Sequence, residues 1–276
     1  MLKLYALSPA PLELQLADLS SLDVVSRQLP QGLYSTFRTY AGKTKVLGLE
    51  LHLARLYAPL AALSVSPAVS PLQLRAALRE TLADLGAGEA RVRITLATTE
   101  QAGAVFLALE PLHAPQEALY QRGVRVGLSL VERKTPRLKT TSFIGSSSGA
   151  RALLQESGLY EALMVRNGRI LEGLTSNFYA VRGATLITAR AGILLGVTRR
   201  YVLRLARAQG LEIDFRPLRL EELTTIDEAF ITSSGRGVLP VTEIEARPVG
   251  NGQVGQVARS LRAAYEAKVF RRADCI

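Results

Sequence analysis

The chain has 276 residues, of which 48% are hydrophobic and 21% are charged, a composition typical of a folded globular protein rather than of a disordered one. Its 34 Lys and Arg residues exceed its 24 Asp and Glu residues, which gives a formal net charge of +10. Such a surplus is compatible with nucleic acid, an anionic membrane surface or small anionic ligands as partners. The basic residues are scattered along apparent helices and form no tail or aromatic-rich stripe, so we favour a solvated basic surface over nucleic-acid binding.

Cysteine and histidine usage argues against several other classes of protein. The single cysteine, Cys275, rules out an internal disulfide and a thiolate metal cluster within one chain. Two histidines are too few for a typical His-based metal site, so we expect no metal. The sequence begins without a signal-like segment and has no apolar run of membrane-spanning length. We therefore expect a soluble, cytoplasmic protein with no membrane partner.

The first part of the chain has the pattern of an α+β domain. The predicted helix over Ser70–Leu85 begins with Ser-Pro, which combines a favoured N-cap with proline at the first helical position. We expect this domain to cover residues 1–110, followed by a linker at 111–118 that contains two prolines. The predicted elements are strands at Leu2–Leu7, Gly32–Tyr40, Ala90–Thr98 and Val105–Leu109, and helices from Leu49 and over Ser70–Leu85.

The second part, residues 119–276, is predicted to be a strand-rich domain with a few helices. Asn167-Gly168 between two apolar runs is the strongest short signal for a hairpin. The predicted strands are Val124–Leu130, Glu161–Arg166, Arg169–Leu171, Asn177–Val181 and Glu228–Ile231, and the predicted helices are Gly149–Ser157 and Thr198–Gln209.

Single motifs with chemical potential are weak signals in this sequence. Thr198 follows a glycine at a helix start, which suits a phosphate but also an ordinary capped helix. The turn 232–235 has hydroxyls and a glycine that could hold an oxyanion, but alone it indicates only a turn. Glu172 lies between an apolar strand and a glycine, where a carboxylate is unusual without a partner. Lys139 taken alone indicates only a surface lysine.

Six motifs, taken together with their order along the chain, are far more specific than any one of them. Together they resemble the class IV aminotransferases, and the resemblance extends from about Gly32 to Tyr265, nearly the whole chain. The motifs are Gly32–Lys43, Glu50–Leu56, Lys139–Phe143, Leu171–Phe178, Gly196–Arg199 and Asp227–Val241.

This resemblance implies the two-domain fold type IV of pyridoxal 5'-phosphate (PLP) enzymes. A small α+β sandwich domain is then joined to a larger, strand-rich pseudo-barrel domain that carries the PLP lysine. Lys139 matches the lysine that forms the Schiff base with PLP and moves the Cα proton. Glu172 matches the carboxylate that keeps the pyridine nitrogen protonated. The cofactor-binding residues implied by the resemblance are Arg55, Lys139, Glu172, Asn177, Val197, Thr198 and Ser234, of which Arg55, Thr198 and Ser234 would hold the phosphate.

The substrate side is less sharply defined by the motifs. By resemblance, the substrate-binding candidates are Arg38, Arg93, Ser233, Gly235 and Arg236. Arg236 and Phe143 both differ from the residues that branched-chain enzymes carry at the matching positions, which argues against strict branched-chain specificity. The function we favour is transfer of an amino group between a small-molecule amino acid, of branched-chain or D-type, and a 2-oxo acid.

Two alternatives stay open. One is 4-amino-4-deoxychorismate lyase, which shares the family fold and releases pyruvate and 4-aminobenzoate. The other, from a different class, is a basic nucleic-acid-binding protein, but its net charge gives no account of the six motifs. We expect no nucleic-acid partner, and the family resemblance implies a homodimer.

Overall fold

The computed structural model describes residues 1–8 and 10–276 and divides into two compact units. The first unit comprises Met1–His113, Leu138–Gly145 and Arg271–Ile276. The second unit comprises Ala114–Arg137 and Ser146–Phe270. Both units combine helices with strands, which confirms the predicted α+β class.

The helices of the described chain are α1 (Leu22–Gln28), α2 (Leu49–Tyr57), α3 (Pro71–Ala83), α4 (Glu117–Arg122), α5 (Ser142–Ser146), α6 (Ser148–Ser157), α7 (Val197–Ala208) and α8 (Gln256–Arg272), with a 3₁₀ turn at Leu220–Thr225. Helix α3 begins as its sequence predicts, with Ser70 and Gln73 capping each other's backbone N–H groups and Pro71 at the first position. None of the helices found among the described residues is long and apolar enough to cross a membrane.

The strands are β1 (Lys3–Ser8), β2 (Ala10–Glu13), β3 (Gly32–Arg38), β4 (Lys45–Val46), β5 (Ala90–Ala97), β6 (Val105–Pro111), β7 (Val124–Ser129), β8 (Glu161–Arg166), β9 (Arg169–Gly173), β10 (Asn177–Arg182), β11 (Thr185–Ile187), β12 (Glu212–Asp214), β13 (Leu218–Arg219), β14 (Glu228–Ser233), β15 (Gly237–Ile244), β16 (Arg247–Pro248) and β17 (Asp274–Cys275). The predicted linker at 111–118 is therefore partly regular, because β6 ends inside it and α4 begins inside it.

The first unit is built on a five-stranded antiparallel sheet in the order β2-β1-β6-β5-β3. Helices α2 and α3 cover one face, where Phe37, Leu56, Leu78 and Ile94 form part of a fully buried core. Each such side chain contributes roughly 1.5–3 kcal/mol of transfer free energy when it leaves water. Helix α1 packs on the opposite face with a smaller cluster.

The segment that carries Lys139 packs along the edge strand β3. The Lys139 carbonyl accepts a hydrogen bond from the Tyr34 N–H at 2.8 Å, and the Thr141 N–H donates to the Gly32 carbonyl at 2.9 Å. The Gly32 N–H in turn donates to the Thr141 hydroxyl at 3.0 Å. These contacts explain why Leu138–Gly145 belongs to the first unit, whereas the sequence-based division placed Lys139 in the second domain.

The C-terminal residues also return to the first unit. Strand β17 pairs with β4, and Ile276 packs into the α2/α3 core. The Arg79 guanidinium donates two hydrogen bonds to the Ile276 carbonyl, at 3.0 and 2.7 Å. The predicted second domain extended to residue 276 because nothing local in the sequence indicates this return.

In the second unit, six strands close into a ring in the order β10-β14-β15-β7-β8-β9. The ring closes where β9 pairs back to β10 through Glu172 and Asn177. The pairs β15–β7 and β7–β8 are parallel and the other ring pairs are antiparallel. This closed arrangement confirms the predicted strand-rich, barrel-like domain, and it brings two of the predicted cofactor residues directly opposite each other.

Candidate active site

Lys139 of the first unit points its ammonium group at an aromatic ring. Its Nζ lies 4.5 Å from the centroid of the Tyr34 ring, and the Arg93 guanidinium lies 4.9 Å from the same centroid. Cations at such distances are attracted by the electron-rich face of the ring. Because the backbone around Lys139 is fixed on β3, its side chain starts from a rigid element rather than from a mobile loop.

His52 and Arg55 lie one turn apart on α2, near Lys139. His52 is 1% exposed, its Nδ1 contacts the Ser35 hydroxyl at 2.8 Å, and its ring packs on Phe37 at 4.9 Å. Burial, and then the positive charges of Arg55 and Lys139, hold the pKa of His52 well below its usual 6.5. His52 is therefore a neutral imidazole at neutral pH, and the two cations act on it together.

Arg93, a predicted substrate residue, is buried and held by several partners in the first unit. It is 4% exposed and forms an ion pair with Asp23 at 2.8 Å. Its Nη1 donates to the Ser26 hydroxyl at 2.8 Å, and its Nε donates to the Thr36 hydroxyl at 3.0 Å. The first turn of α1 therefore neutralises this guanidinium.

Arg38 has a different environment from Arg93. It lies opposite Arg91 in the β3–β5 pairing, on the face of β3 that also carries Tyr34. Arg91 forms an ion pair with Glu110 at 3.0 Å. The Arg38 guanidinium lies 4.7 Å from the centroid of the Tyr40 ring, and no carboxylate of the described residues pairs with it.

Glu172 lies in the second unit, at the strand pairing that closes the ring. Its carboxylate is buried, with 2% exposure, and accepts hydrogen bonds from Arg133 Nε at 3.1 Å, Asn177 Nδ2 at 3.0 Å and the Leu194 N–H at 3.0 Å. Asn177 also donates to the Leu194 carbonyl at 2.8 Å. A Cβ at Gly196 would lie 2.2 Å from Asn177 Oδ1, so that position has room only for glycine. The arrangement fixes a carboxylate in an environment with little water.

The first turn of α7 gathers hydroxyl groups beside free backbone N–H groups. Val197 is the first residue of α7, and Thr198 is 2% exposed. The Thr198 hydroxyl lies 3.4 Å from that of Ser234, in the turn between β14 and β15, and 3.5 Å from that of Tyr265 on α8. Unpaired N–H groups at a helix start, together with hydroxyls, form a site suited to a phosphate.

The β14–β15 turn also contains the predicted substrate residues Ser233, Gly235 and Arg236. The Arg236 N–H donates to the Ser233 carbonyl at 3.2 Å, and a Cβ at Gly235 would meet no atom within 4 Å. The Arg236 guanidinium forms an ion pair with Glu161 at 3.4 Å and contacts the Thr175 hydroxyl. Glu161 is itself 2% exposed, so the charge of Arg236 is paired with a buried carboxylate of the same unit.

Sequence reasoning missed Arg133 and Tyr265. Arg133 is 39 residues from its partner Glu172, and no local pattern marks such a pair. Tyr265 does have a signal, because Ala258, Leu261 and Tyr265 are spaced three and four residues apart and are all buried on α8.

Comparison with known proteins gives one consistent family. The family model described as Amino-transferase class IV matches residues 32–244. A D-alanine aminotransferase from Bacillus licheniformis is 27% identical, over 91% of this chain and 92% of its own. An aminodeoxychorismate lyase from Bacillus subtilis is 28% identical, over 86% of this chain and 85% of its own. The branched-chain aminotransferase of the archaeon Thermoproteus uzoniensis, solved with norvaline, shares the fold with a TM-score of 0.78 at 23% identity, over 97% of this chain and 94% of its own.

These relatives carry three different activities at similar identity, so the similarity defines the family and leaves the substrate open. The family match covers all six sequence motifs and the whole ring of strands in the second unit. The chain belongs to the class IV aminotransferases and is a PLP-dependent enzyme of that family.

Proposed function

We propose that the protein is an aminotransferase that moves an amino group between a monocarboxylic amino acid and a 2-oxo acid. The observation that carries the choice is the pairing of the candidate substrate arginines. Arg93 is already neutralised by Asp23 and Arg236 by Glu161, whereas Arg38 has no carboxylate partner among the described residues. One uncompensated guanidinium suits one substrate carboxylate, which it can bind through two parallel hydrogen bonds.

The residues of each unit fit the chemical needs of PLP. In the second unit, Glu172 is a buried carboxylate of the kind that keeps a pyridine nitrogen protonated, and Asn177 holds it in place. Thr198 and Ser234, with the N–H groups at the start of α7, are donors for the phosphate. In the first unit, we assign Lys139 to the cofactor aldehyde and Arg55 to the phosphate. PLP, when bound, supplies the electron sink for the electron pair released at the substrate Cα.

The chain's own groups then have distinct tasks. The Lys139 amine takes the proton from the Cα of the amino acid that donates the amino group. It returns a proton to the Cα of the product when the 2-oxo acid accepts that group. Arg38 orients the substrate by its carboxylate. The buried His52 ring stays neutral near Lys139 and Arg55, so it adds no third positive charge there. We propose that the enzyme acts as a homodimer, as the family resemblance implies.

The lyase is the second candidate, because an aminodeoxychorismate lyase is among the relatives. Its substrate carries two carboxylates and would need a second cationic partner. Arg236 would have to give up its ion pair with Glu161, whose carboxylate is 2% exposed and would keep only the hydrogen bonds from Thr175, Ser176 and the Ala162 N–H. Removing the cationic partner of a buried carboxylate is unfavourable, which favours the aminotransferase.

The deciding experiment mixes PLP-loaded protein with a panel of L- and D-amino acids plus a 2-oxo acid, and separately with 4-amino-4-deoxychorismate. We expect the new amino acid to form and expect no pyruvate from 4-amino-4-deoxychorismate. Borohydride reduction should attach the cofactor to Lys139. Pyruvate release without amino transfer would establish the lyase instead.

Arg38 gives the matched test of substrate binding. Arg38→Gln should raise KM for the amino acid by roughly tenfold to a hundredfold, the loss expected for a charged hydrogen-bonded contact, with little change in kcat. Arg91→Gln is the control, because Arg91 faces the same way but already pairs with Glu110. Equal effects of the two substitutions on KM would remove Arg38 from the substrate site.

A further inference from the structure

A cluster of arginine side chains lies in the second unit, among residues to which no cofactor or substrate role is assigned above. It is a concavity of about 560 Å³, which we call the arginine cavity. This volume is within the range of pockets that bind small molecules. The cavity is lined by Arg137, Arg190, Leu195, Arg199, Arg207 and Phe215.

Three of the guanidinium groups converge on one aromatic ring. The guanidinium carbons of Arg190, Arg199 and Arg207 each lie 5.7 Å from the centroid of the Phe215 ring. Arg199 and Arg207 are eight residues apart on α7 and therefore share a face of that helix. A merely solvated basic surface would let these side chains diverge into water, whereas here they point at a common centre.

The arginines of the arginine cavity lack the carboxylate partners that neutralise other arginines of the described chain, such as Arg133 and Arg236. Among the described residues, none of its four arginines forms an ion pair with a carboxylate. The acid nearest in sequence to the Phe215 ring, Asp214, pairs with Arg216 at 2.7 Å instead. The like charges of the cavity act on one another, because Arg137 and Arg190 both disfavour the charged form of Arg199 and lower its pKa.

Arg199 is the most buried of the four and is only partly satisfied. It is 6% exposed, and its Nη2 donates to the Ala189 carbonyl at 2.7 Å. Its Nε is buried and has no hydrogen-bond partner among the described residues. Burial lowers the pKa of Arg199, and the charges of Arg137 and Arg190 lower it further, against the opposing effects of Tyr179 and Glu172. A buried guanidinium with an unused donor is a group that a bound anion would stabilise.

We propose that the arginine cavity binds a small anion with two or more linked phosphate groups. Guanidinium groups match phosphate oxygens in geometry and bind them through paired hydrogen bonds. A single carboxylate or sulfate would offset only part of the charge of four arginines, whereas a triphosphate offsets most of it. The group reaches the cavity either as inorganic polyphosphate or as part of a nucleotide, whose base would contact the Phe215 ring, which is 36% exposed.

The test is calorimetric titration of the PLP-loaded protein with tripolyphosphate, ATP and sulfate at one fixed ionic strength. Loading with PLP keeps the phosphates away from the cofactor site. We expect tripolyphosphate to bind at least about tenfold more tightly than sulfate, and the double variant Arg190→Ala/Arg207→Ala to lose about tenfold or more of that affinity. The matched control is Arg200→Ala/Arg204→Ala, which removes two exposed charges from the same helix outside the cavity. It should change the affinity by less than about twofold.

Each outcome has a defined meaning. Tighter binding of ATP than of tripolyphosphate, abolished by Phe215→Ala, assigns the site to a nucleotide, and equal binding assigns it to the phosphates alone. Binding of tripolyphosphate no tighter than that of sulfate overturns the proposal. So does an equal loss in the control variant, because the effect would then come from general surface charge. Binding of a single-stranded oligonucleotide through Arg190 and Arg207, without binding of ATP, would overturn it in favour of nucleic acid.

Discussion

Replacing Glu172 by Gln removes the negative charge of a side chain that is 2% exposed and accepts hydrogen bonds from Arg133, Asn177 and the Leu194 N–H. One of its donors is Arg133, whose side chain is 4% exposed. The substitution therefore has two separable effects. It takes away the group that we assign to the pyridine nitrogen, and it removes the negative member of the ion pair with the buried Arg133 guanidinium.

The structural effect follows from the burial of both partners. Removing one member of a buried ion pair costs about 3–5 kcal/mol of unfolding free energy. The oxygen of the substituted glutamine still accepts a hydrogen bond, while its amide nitrogen faces another donor, so we expect a loss of about 3 kcal/mol. The chemical effect is of similar size, since losing the charge beside the pyridine nitrogen should slow turnover by at least about a hundredfold, or roughly 3 kcal/mol of barrier.

A second substitution separates these effects. Glu172→Gln/Arg133→Met removes the positive member of the ion pair as well and should recover about 2 kcal/mol of the lost stability, because replacing both members of a buried ion pair is close to neutral. Turnover should stay low, since methionine restores no carboxylate. The control is Glu132→Gln, whose partner Arg166 lies at 4.0 Å on the surface, and it should cost less than about 0.5 kcal/mol.

Urea unfolding measures the stability of each variant, and single-turnover mixing with the best amino acid at saturating PLP measures the chemistry. If Glu172→Gln reacts at the parent rate with PLP bound, the carboxylate is structural and the assignment of this site is wrong. Recovery of the parent rate in the double variant would likewise show that the loss came from breaking the ion pair with Arg133 and not from the missing carboxylate.

Two further substitutions test other contacts. Arg55→Ala should weaken PLP affinity by roughly tenfold to a hundredfold, measured by cofactor titration, and leave residual turnover at saturating PLP; an unchanged affinity would exclude Arg55 from the phosphate site. Contacts from Arg216, the backbone of Arg219 and Arg182 lower the pKa of Glu222 to about 2, so its stabilising effect is present above about pH 4.5 and is lost as the pH falls towards 2. Glu222→Gln should therefore lower the unfolding free energy at pH 7 by about 1 kcal/mol after solvent screening and reduce the acid dependence between pH 4.5 and 2, and an unchanged acid profile would count against this ion pair.

Elements whose determinants are local were predictable from the sequence. The Asn167-Gly168 signal predicted a hairpin, and both residues adopt positive φ, at 50° and 69°, between the paired strands β8 and β9. A two-residue turn with this geometry matches the twist of the strands that it joins. The predicted start of α3 at Ser70 was confirmed for the same reason, because its cap lies within one turn of the chain.

Elements defined by tertiary packing were missed. Helix α1 has seven residues, two of them adjacent valines, and it is stabilised mainly by packing Leu22 and Val25 on the sheet. Without α1, the sequence could not reveal that Asp23 neutralises Arg93. The family resemblance made Arg93 a substrate-binding candidate, but it gave no information on its charge partner, which lies on an element that sequence periodicity does not show.

The positive charge of the chain is a second case in which sequence patterns do not show which residues the fold brings together. Along the sequence the arginines are scattered, and that scatter favoured a merely solvated basic surface. Residues 137, 190, 199 and 207 span seventy positions, yet they meet at one cavity because α7 presents two of them on one face and the loop before α7 adds a third. Other arginines, such as Arg133 and Arg236, are neutralised in buried ion pairs. Scatter along a chain is therefore no measure of scatter in space, and where the uncompensated charge collects is decided by which guanidinium groups the fold pairs with carboxylates.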